Sequence, residues 1–342
     1  MTATTAPSLT ERRPRVPTER LLDELVPPQH FARESFDTYR PDPSYPSQAR
    51  TVERLRSVAT EVERAGTGGG LFGFGRKARP AAVYLDGGFG VGKTHLLTSL
   101  VREVGRADSA YGTFVEFTNL VGALGFGPTV EALGGKRLVA IDEFELDDPG
   151  DTVLMSRLLR ELADRDVSLA ATSNTLPGSL GEGRFAAEDF LREIQALADR
   201  FEVLRVDGED YRHRVTTTDL GGLPDDVVRA SIAGRDGATL DEFGALLDHL
   251  GEIHPSRYRA LLDDVELVGL TGVRPLGHQS TALRFVVLVD RLYDRDVPVL
   301  LGGSGIHGLF PAEMLAGGYR KKYYRALSRL GALAEQGRSL VA

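Results

Sequence analysis

The sequence predicts an α/β protein in which a parallel sheet lies between layers of helices. Three short segments, at 82–85, 138–141 and 167–171, are apolar throughout except for Ser168, which is typical of buried parallel strands. Segments whose apolar residues have helical spacing separate them along the chain. Each apolar segment is followed by glycine or by polar residues, and ligands meet a parallel sheet where its strands end.

The first apolar segment leads into a glycine-rich loop, Gly-Gly-Phe-Gly-Val-Gly-Lys-Thr, at 87–94. The loop fits the phosphate-binding pattern of a glycine, any four residues, and Gly-Lys-Ser/Thr. Its glycines allow consecutive backbone N–H groups to surround phosphate oxygens, and the following helix adds the positive end of its dipole. A strand before the loop and a helix after it are the context that the motif requires. The sequence therefore predicts a P-loop NTPase.

The chemistry of the loop predicts ATP and Mg²⁺ as cofactors. Lys93 is expected to reach the β- and γ-phosphates, and the Thr94 hydroxyl is expected to bind Mg²⁺. The residues expected to bind the nucleotide are Gly87, Gly88, Phe89, Gly90, Val91, Gly92, Lys93, Thr94 and His95.

Two acidic residues, Asp142 and Glu143, follow the second apolar segment. Asp142 is expected to hold Mg²⁺ through its water shell, and Glu143 to polarise the attacking water as a general base. Four apolar residues before an acidic pair are common in proteins. At this distance after a phosphate loop, however, they indicate the second half of a nucleotide site.

Two further polar residues have both a functional and a structural interpretation. Asn174 follows the apolar segment at 167–171, so it could bond the γ-phosphate or the attacking water, or it could cap the next turn. Arg200 ends a helical segment at 188–201. It could neutralise transition-state charge across a subunit boundary, or interact with the dipole of its own helix. The residues alone leave Asn174 undecided and favour the structural interpretation of Arg200.

Composition excludes several kinds of site. The chain has 41 basic and 49 acidic residues and a net charge of −8, which is unlike a nonspecific nucleic-acid-binding protein. It has no cysteine, which excludes disulfides, thiol catalysis and cysteine-ligated zinc. No apolar run approaches the length of a membrane span, and the N-terminus has no hydrophobic segment typical of a secretory signal. We therefore expect a cytoplasmic protein.

Composition along the chain predicts four regions. Residues 1–20 are polar and basic and are expected to form a disordered tail. Residues 21–80 are expected to form an N-terminal helical arm and a glycine-rich linker. The ATPase core is expected at 81–212, and a C-terminal α/β region at 213–342. Aromatic residues between prolines in the arm could line an adenine pocket, or they could pin the arm to the core.

Four shorter segments carry expectations of their own. We expect a strand at 113–117 and, in the C-terminal region, a helix at 239–250. Residues 162–167 and 292–297 share the pattern Leu-x-Asp-Arg-Asp-Val, and each precedes an apolar segment with a polar end. Convergent helix-to-strand chemistry explains this similarity. Alternatively, it indicates that the C-terminal region contains a parallel β-α-β unit.

Together these residues resemble the AFG-one-like (ZapE) ATPase family, which is related to the AAA+ ATPases. The resemblance extends from about Pro28 to Leu330. The phosphate loop is shared with many ATPases, but the combination of Ala-Thr-Ser-Asn with Asp-Tyr-Arg is more specific. The matching motifs are Gly-Gly-x-Gly-x-Gly-Lys-Thr at 87–94, Asp-Glu-Phe at 142–144, Ala-Thr-Ser-Asn at 171–174, Arg-Phe-Glu-Val at 200–203, Asp-Tyr-Arg at 210–212, Leu-Tyr-Asp at 292–294 and Ser-Arg-Leu at 328–330.

The resemblance implies an AAA+-like ATPase in which the loop and the acidic pair have the roles given above. It makes Asn174 a sensor of the nucleotide and Arg200 an arginine finger that acts in trans. It also suggests Arg329, with Arg325 one helical turn earlier, as a second sensor. Bacterial family members act at the division ring and are linked to FtsZ, whereas mitochondrial relatives act in protein quality control. The resemblance therefore implies a homo-oligomer with ATP sites between subunits and a protein partner.

The leading functional hypothesis is a Mg²⁺-dependent ATPase that couples hydrolysis to remodelling of a protein partner, in connection with the FtsZ ring. One alternative is a DnaC-like loader of nucleic-acid machinery, although the acidic composition argues against it. Another is a nucleotide-gated scaffold with little turnover, which would not need Glu143. Many family members carry a histidine-containing segment after the phosphate-loop helix. Here residues 114–127 are glycine-rich and contain no histidine, a departure that concerns the partner-binding surface.

Overall fold

The computed structural model describes residues 7–66, 80–88, 90–144, 149–174, 198–209 and 221–341. The chain divides into two compact units. Residues 18–214 form the first unit, and residues 1–17 together with 215–342 form the second. Each unit has its own parallel sheet and its own hydrophobic core. Across the described ranges, no helix has the length and apolar character that crossing a bilayer requires.

The first unit is built on a five-stranded sheet with strand order β2-β3-β4-β1-β5. All neighbouring strands pair in parallel, so all five end at the same edge of the sheet. This arrangement confirms the predicted parallel sheet. The strands are β1 (Ala82–Gly87), β2 (Ser109–Thr113), β3 (Leu138–Asp142), β4 (Ser168–Ser173) and β5 (Glu202–Val206).

Helices cover both faces of this sheet, because its central strands are apolar on both sides. Successive residues of a strand point to opposite faces. Accordingly, Val83 and Leu85 pack in one apolar cluster, with Leu97, while Tyr84 packs in another, with Leu158. The helices are α1 (Thr18–Asp23), α2 (Pro46–Gly66), α3 (Lys93–Val104), α4 (Phe114–Leu124), α5 (Phe126–Gly134) and α6 (Pro149–Asp164).

The strand predicted at 113–117 is wrong, because β2 ends at Thr113 and helix α4 begins at Phe114. Thr113 and Glu116 form a capping box. The Thr113 hydroxyl accepts the Glu116 N–H at 3.3 Å, and the Glu116 carboxylate accepts the Thr113 N–H at 2.7 Å. These two reciprocal bonds satisfy backbone donors that a helix start leaves unpaired, and they outweigh the β-propensity of the phenylalanine and valine residues.

The second unit contains a three-stranded parallel sheet with the order β6-β7-β8. The C-terminal region is therefore α/β, as predicted, and it contains the parallel β-α-β arrangement that the internal similarity suggested. The strands are β6 (Ala238–Glu242), β7 (Leu267–Thr271) and β8 (Val299–Leu301). The helices are α7 (Asp225–Ile232), α8 (Phe243–Glu252), α9 (Tyr258–Leu261), α10 (Gln279–Asp294), α11 (Ala312–Ala316) and α12 (Arg320–Ser339).

The helix predicted at 239–250 is wrong over its first four residues, which belong to strand β6. Residues 238–242 pair with β7 in parallel, with Ala238 opposite Leu267. The helix begins only at Phe243, where the Glu242 carboxylate accepts the Ala245 N–H at 2.7 Å and caps it. Pairing with a buried strand thus outweighs a local spacing that is compatible with a helix.

The repeated Leu-x-Asp-Arg-Asp-Val pattern forms the same helix end twice. Asp166 and Asp296 both have left-handed backbone conformations, with φ of 64° and 54°. In each turn the following valine N–H donates to the carbonyl of the leucine five residues earlier, at 3.0 Å in both cases. Asp tolerates the left-handed region better than most residues, which explains why it recurs at this position.

The disordered tail predicted for residues 1–20 is wrong for residues 7–17, which pack within the second unit. The buried Asp241 carboxylate accepts hydrogen bonds from the Ser8 hydroxyl at 2.5 Å and from the Leu9 N–H at 3.1 Å. The Leu9 side chain is completely buried. The segment is ordered because one leucine and several backbone donors find partners far away in sequence. Residues 1–6, and the predicted boundary at 212, lie outside the described residues, and the other region boundaries stay predictions.

Candidate functional site

The glycine-rich loop follows β1 at the carboxyl edge of the first sheet. A side chain at Gly87 would overlap the Val206 carbonyl of β5, so a glycine is required for this close approach. Gly92 has a φ of 89°, and a Cβ there would lie 2.6 Å from the Tyr39 ring. Helix α3 begins directly afterwards, at Lys93. This strand–loop–helix arrangement on a central parallel strand confirms the predicted P-loop NTPase fold.

The Lys93 ammonium group turns back into the loop that precedes it. Its Nζ donates to the Gly87 carbonyl at 2.8 Å, to the Gly88 carbonyl at 2.5 Å and to Asn174 Oδ1 at 2.8 Å. Asn174 follows β4, which is the neighbour of β1 in the sheet, so the strand order brings the amide and the ammonium together. These three acceptors are neutral, and they hold the ammonium group in the loop where the phosphates of a nucleotide are expected.

Asp142, at the end of β3, receives hydrogen bonds from three hydroxyl groups. Thr94 Oγ1 donates to its Oδ2 at 3.0 Å, and the Tyr111 hydroxyl donates to the same oxygen at 2.8 Å. The Thr172 hydroxyl donates to Oδ1. Only 5% of Asp142 is exposed. Carboxylate and hydroxyl oxygens are ligands that suit Mg²⁺, so Thr94 and Asp142 together fit this cation.

Glu143 follows β3 in a left-handed conformation, with a φ of 53°. Its N–H donates to Asp142 Oδ1 at 3.1 Å and lies 3.0 Å from Thr172 Oγ1. A non-glycine residue in this region costs about 1–3 kcal/mol, and such strain persists where surrounding contacts fix it. Backbone strain beside a polar cluster is typical of functional sites, and the role of Glu143 as general base stays a prediction.

The N-terminal arm packs against the outer side of the loop. The Tyr39 hydroxyl donates to the Val91 carbonyl at 2.9 Å, and burial raises the pKa of Tyr39 to about 12. The Tyr39 ring meets the His95 imidazole edge-on, with centroids 5.4 Å apart. His95 Nε2 lies 2.9 Å from the Ser35 carbonyl and 3.3 Å from the Glu34 carboxylate. His95 therefore contacts the arm, and its predicted contact with the nucleotide stays a prediction.

Arg200 lies at the opposite edge of the first sheet. It precedes β5 by two residues and lines a pocket of about 210 Å³ together with Ala82 and Leu169, which lie at the beginnings of β1 and β4. The phosphate loop follows the other end of β1. A strand of this length spans roughly 20 Å, so Arg200 cannot reach a phosphate held by Lys93 of the same chain.

Arg329 belongs to helix α12 of the second unit. Its guanidinium donates to Asp290 Oδ1 at 2.5 Å and lies 5.1 Å from the centre of the Tyr293 ring. Arg325, one turn earlier, donates to Asp290 Oδ2 at 3.0 Å. The two arginines that the resemblance suggested as sensors therefore share one carboxylate, and the sensor role stays a prediction.

The structure brings five of the predicted residues together at one edge: Lys93, Thr94, Asp142, Glu143 and Asn174. Gly88, Gly90 and Val91 form the loop around them, while Phe89 lies outside the described residues. Sequence reasoning missed Tyr111 and Thr172. Thr172 could have been found, since it lies two residues before Asn174 at the end of an apolar strand. Tyr111 carries no such signal, because an aromatic residue in a strand is most often part of the core.

Comparisons with known proteins place this arrangement in a family. A cell division protein ZapE from Escherichia coli strain K12 is 26% identical over 227 residues, which is 56% of this chain and 59% of the relative. The protein of the same name from Escherichia coli O157:H7 matches to the same extent. The chain thus spans less than two thirds of the length of these curated relatives.

Solved structures of replication proteins also match parts of the chain. The DnaC helicase loader is 16% identical, with a TM-score of 0.36, over 52% of this chain and 99% of that one. AMPPCP-bound DnaA from Aquifex aeolicus is 11% identical, with a TM-score of 0.41, over 54% of each chain. TM-scores of this size carry no argument about function.

The family model for AFG1-like ATPases matches residues 15–226 and 224–339, which together include almost the whole chain. This match confirms the family resemblance that the sequence motifs indicated. The chain belongs to the AFG1-like ATPase family.

Proposed function

We propose that this protein is a Mg²⁺-dependent ATPase that converts ATP to ADP and phosphate. One observation carries the proposal, which is the convergence of Lys93, Thr94, Asp142 and Asn174 at the carboxyl edge of the first sheet. These side chains come from three different elements and meet through hydrogen bonds of 2.8 to 3.0 Å. Membership of an ATPase family supports the same activity.

Each residue has a defined task in this proposal. Lys93 binds the β- and γ-phosphates, and the loop N–H groups surround the remaining phosphate oxygens. Thr94 and Asp142 hold Mg²⁺, which, when bound, neutralises charge that develops on the transferred phosphate. Asn174 contacts the γ-phosphate or the attacking water. Glu143 accepts a proton from that water as it attacks.

The position of Arg200 favours a site that two copies of the chain complete together. Since Arg200 cannot reach its own Lys93, only a second copy could place it near the γ-phosphate. A guanidinium there would stabilise the transition state electrostatically. We therefore propose a homo-oligomer with ATP sites between subunits.

We further propose that hydrolysis drives remodelling of a protein partner in cell division, with FtsZ as the candidate. The name of the Escherichia coli relative, cell division protein ZapE, supports the process. ATPase activity is measured with and without FtsZ, and we expect FtsZ to raise the rate. An unchanged rate at saturating FtsZ would count against this partner but not against the ATPase activity.

The decisive variant for the ATPase is Glu143→Gln, which removes the proposed base and retains the shape of the side chain. We expect ATP binding to persist and turnover to fall by about a hundredfold or more. Glu103→Gln, which changes an exposed glutamate of α3, is the matched control and should keep both properties. Turnover of Glu143→Gln equal to that of the wild type would remove Glu143 from the mechanism.

Mixing two inactive variants tests the proposed intersubunit site. Arg200→Ala protein lacks the finger, and Glu143→Gln protein lacks the base. In mixed oligomers some sites combine an intact base with an intact finger, so part of the ATPase activity should return. If no mixing ratio restores activity, Arg200 has only a structural role.

A further inference from the structure

We propose that Tyr111 and Thr172 are positioning residues of the hydrolytic site. Tyr111 holds the Asp142 carboxylate so that one oxygen faces the metal, and Thr172 holds both Asp142 and the backbone of Glu143. The inference rests on the proposed ATPase function. Neither residue needs to touch the nucleotide, because each acts through a side chain that does.

Asp142 Oδ1 already accepts a full set of hydrogen bonds. A carboxylate oxygen offers about two lone pairs to donors. The Thr172 hydroxyl donates to Oδ1, and the Glu143 N–H donates to it at 3.1 Å. Thr94 Oγ1 is only a distant third neighbour of this oxygen, at 3.3 Å. The protein's own donors therefore satisfy the hydrogen-bonding capacity of Oδ1.

The two donors to Asp142 Oδ2 lie in different surroundings. The Tyr111 hydroxyl, at 2.8 Å, belongs to a tyrosine that is only 3% exposed in the middle of β2. The other donor, Thr94 Oγ1 at 3.0 Å, lies in the first turn of α3 beside the phosphate loop. If Thr94 turned to hold Mg²⁺, it would release one lone pair of Oδ2. Tyr111 would keep the other, so the released lone pair would be available to the water shell of the metal.

Thr172, which is 1% exposed, lies at the centre of a hydrogen-bond network. Its hydroxyl donates to Asp142 and accepts the Glu143 N–H at 3.0 Å, and its carbonyl accepts the Phe144 N–H at 2.7 Å. The Phe144 ring is buried edge-on against Phe114, with centroids 5.3 Å apart. Thr172 thus fixes three consecutive residues, including the strained Glu143.

These contacts predict different consequences for the two residues. Tyr111→Phe keeps the ring and removes the hydroxyl that donates to Oδ2, so the carboxylate is held less firmly towards the metal. We expect the Mg²⁺ concentration at half-saturation to rise about tenfold, with kcat at saturating Mg²⁺ close to that of the wild type. Thr172→Val removes the bonds to both acidic residues. We expect it to lower kcat by about tenfold or more, and Thr172→Ser to restore most of the loss.

The test measures binding of a fluorescent ATP analogue to the full chain while Mg²⁺ is titrated, alongside steady-state kinetics. Tyr323→Phe is the matched control, because it removes a buried hydroxyl of the second unit that has no hydrogen-bond partner among the described residues. A Tyr111→Phe curve that coincides with the wild-type curve would overturn the role of Tyr111. Thr172→Ser behaving like Thr172→Val would overturn the role of Thr172, even if the valine variant folded poorly.

The same titration separates this inference from the proposed function. If the wild-type protein binds the analogue equally well with and without Mg²⁺, the proposed metal site fails, and the positioning roles fail with it. If the wild type requires Mg²⁺ and both variants match it, the positioning inference alone fails.

Discussion

The two units each contain a nearly buried aspartate, and they satisfy it by different chemistry. Asp142 accepts hydrogen bonds from three hydroxyls and one backbone N–H, all of them neutral. Asp290 accepts from the guanidinium groups of Arg325 and Arg329. Burial by itself raises the pKa of Asp290, but the two arginines outweigh it and lower that pKa below its usual value. Neutral donors preserve the charge of Asp142 for a cation, whereas the arginines neutralise that of Asp290 within the fold.

The edges at which the strands of the two sheets end also differ in whether their polar groups are satisfied within the protein. The same helix end leads into β4 and into β8, yet β4 is followed by Asn174 and β8 by two glycines, Gly302 and Gly303. At the second edge the Asp225 carboxylate accepts the Gly303 N–H at 3.0 Å and the Gly272 N–H at 3.2 Å. A Cβ at Gly302 would overlap Asp225 Oδ1. The second edge is packed around a carboxylate of the protein itself, and the first carries side chains suited to a ligand.

The largest effect expected from this comparison is that of Asp290→Asn on stability. The variant removes the carboxylate charge that two largely buried guanidiniums contact, which should lower the free energy of unfolding by about 3 kcal/mol at neutral pH. Urea unfolding followed by circular dichroism measures the loss. Asp248→Asn, at an exposed position of α8, is the matched control. A loss no larger than the control's would mean that Asp290 does not hold α10 and α12 together.

The pH dependence of stability in the wild type and in Asp290→Asn tests whether the charge of Asp290 is responsible. Because the folded-state pKa of Asp290 is lowered, its stabilisation is present above the usual value of 3.8 and is lost as the pH falls through the lowered pKa. The stability difference between wild type and Asp290→Asn should therefore shrink below pH 3.8, since protonation removes the same charge. A difference that stays constant down to the acid unfolding limit would contradict this assignment.

The second largest effect on stability is expected for Gly302→Ala. This variant tests whether the carboxyl edge of the second sheet is too tightly packed to accept a side chain. The added methyl group must displace the Asp225 carboxylate, so we expect a loss of about 2 kcal/mol in the free energy of unfolding. Gly277→Ala is the control, because nothing lies within 4 Å of a Cβ at that exposed position. Nucleotide affinity should be the same in both variants. Equal stability of the two variants would show that the edge can accommodate a side chain.

Much of the carboxyl edge of the first sheet could be predicted, because phosphate and metal binding require particular residues at fixed spacings. The phosphate loop and the acidic pair are short patterns, each tied to the end of an apolar strand. The supporting contacts could not be predicted in this way. Leu9 and Asp241 are more than two hundred positions apart, and a polar segment gives no sign of that pairing. The capping box at Thr113 is visible in the sequence, but the neighbouring aromatic and β-branched residues suggested a strand.

A smaller effect, on binding rather than on folding, is expected for Lys93→Ala at the first edge. Removing the ammonium group deletes the cation that meets the phosphates, so nucleotide affinity should fall by about tenfold or more, or at least 1.4 kcal/mol. Stability should change less, because the three oxygens that Lys93 contacts can bind water instead. Lys136→Ala, two residues before β3, is the control, and titration with a fluorescent nucleotide measures both variants. Unchanged affinity would contradict the phosphate-binding role.

The smallest effect is expected for Tyr39→Phe, which tests whether the N-terminal arm stabilises the phosphate loop. The substitution removes the hydrogen bond to the Val91 carbonyl but keeps the ring that packs against Gly92 and His95. One neutral hydrogen bond contributes about 1 kcal/mol, so a loop that depends on it should bind nucleotide roughly fivefold more weakly. The melting temperature should change little. Tyr324→Phe, at a residue that is 53% exposed, is the control. Nucleotide affinity and melting temperature are measured separately for this variant. Weaker binding at an unchanged melting temperature would show that the arm supports the nucleotide site. A lower melting temperature at unchanged affinity would show that it supports only the fold.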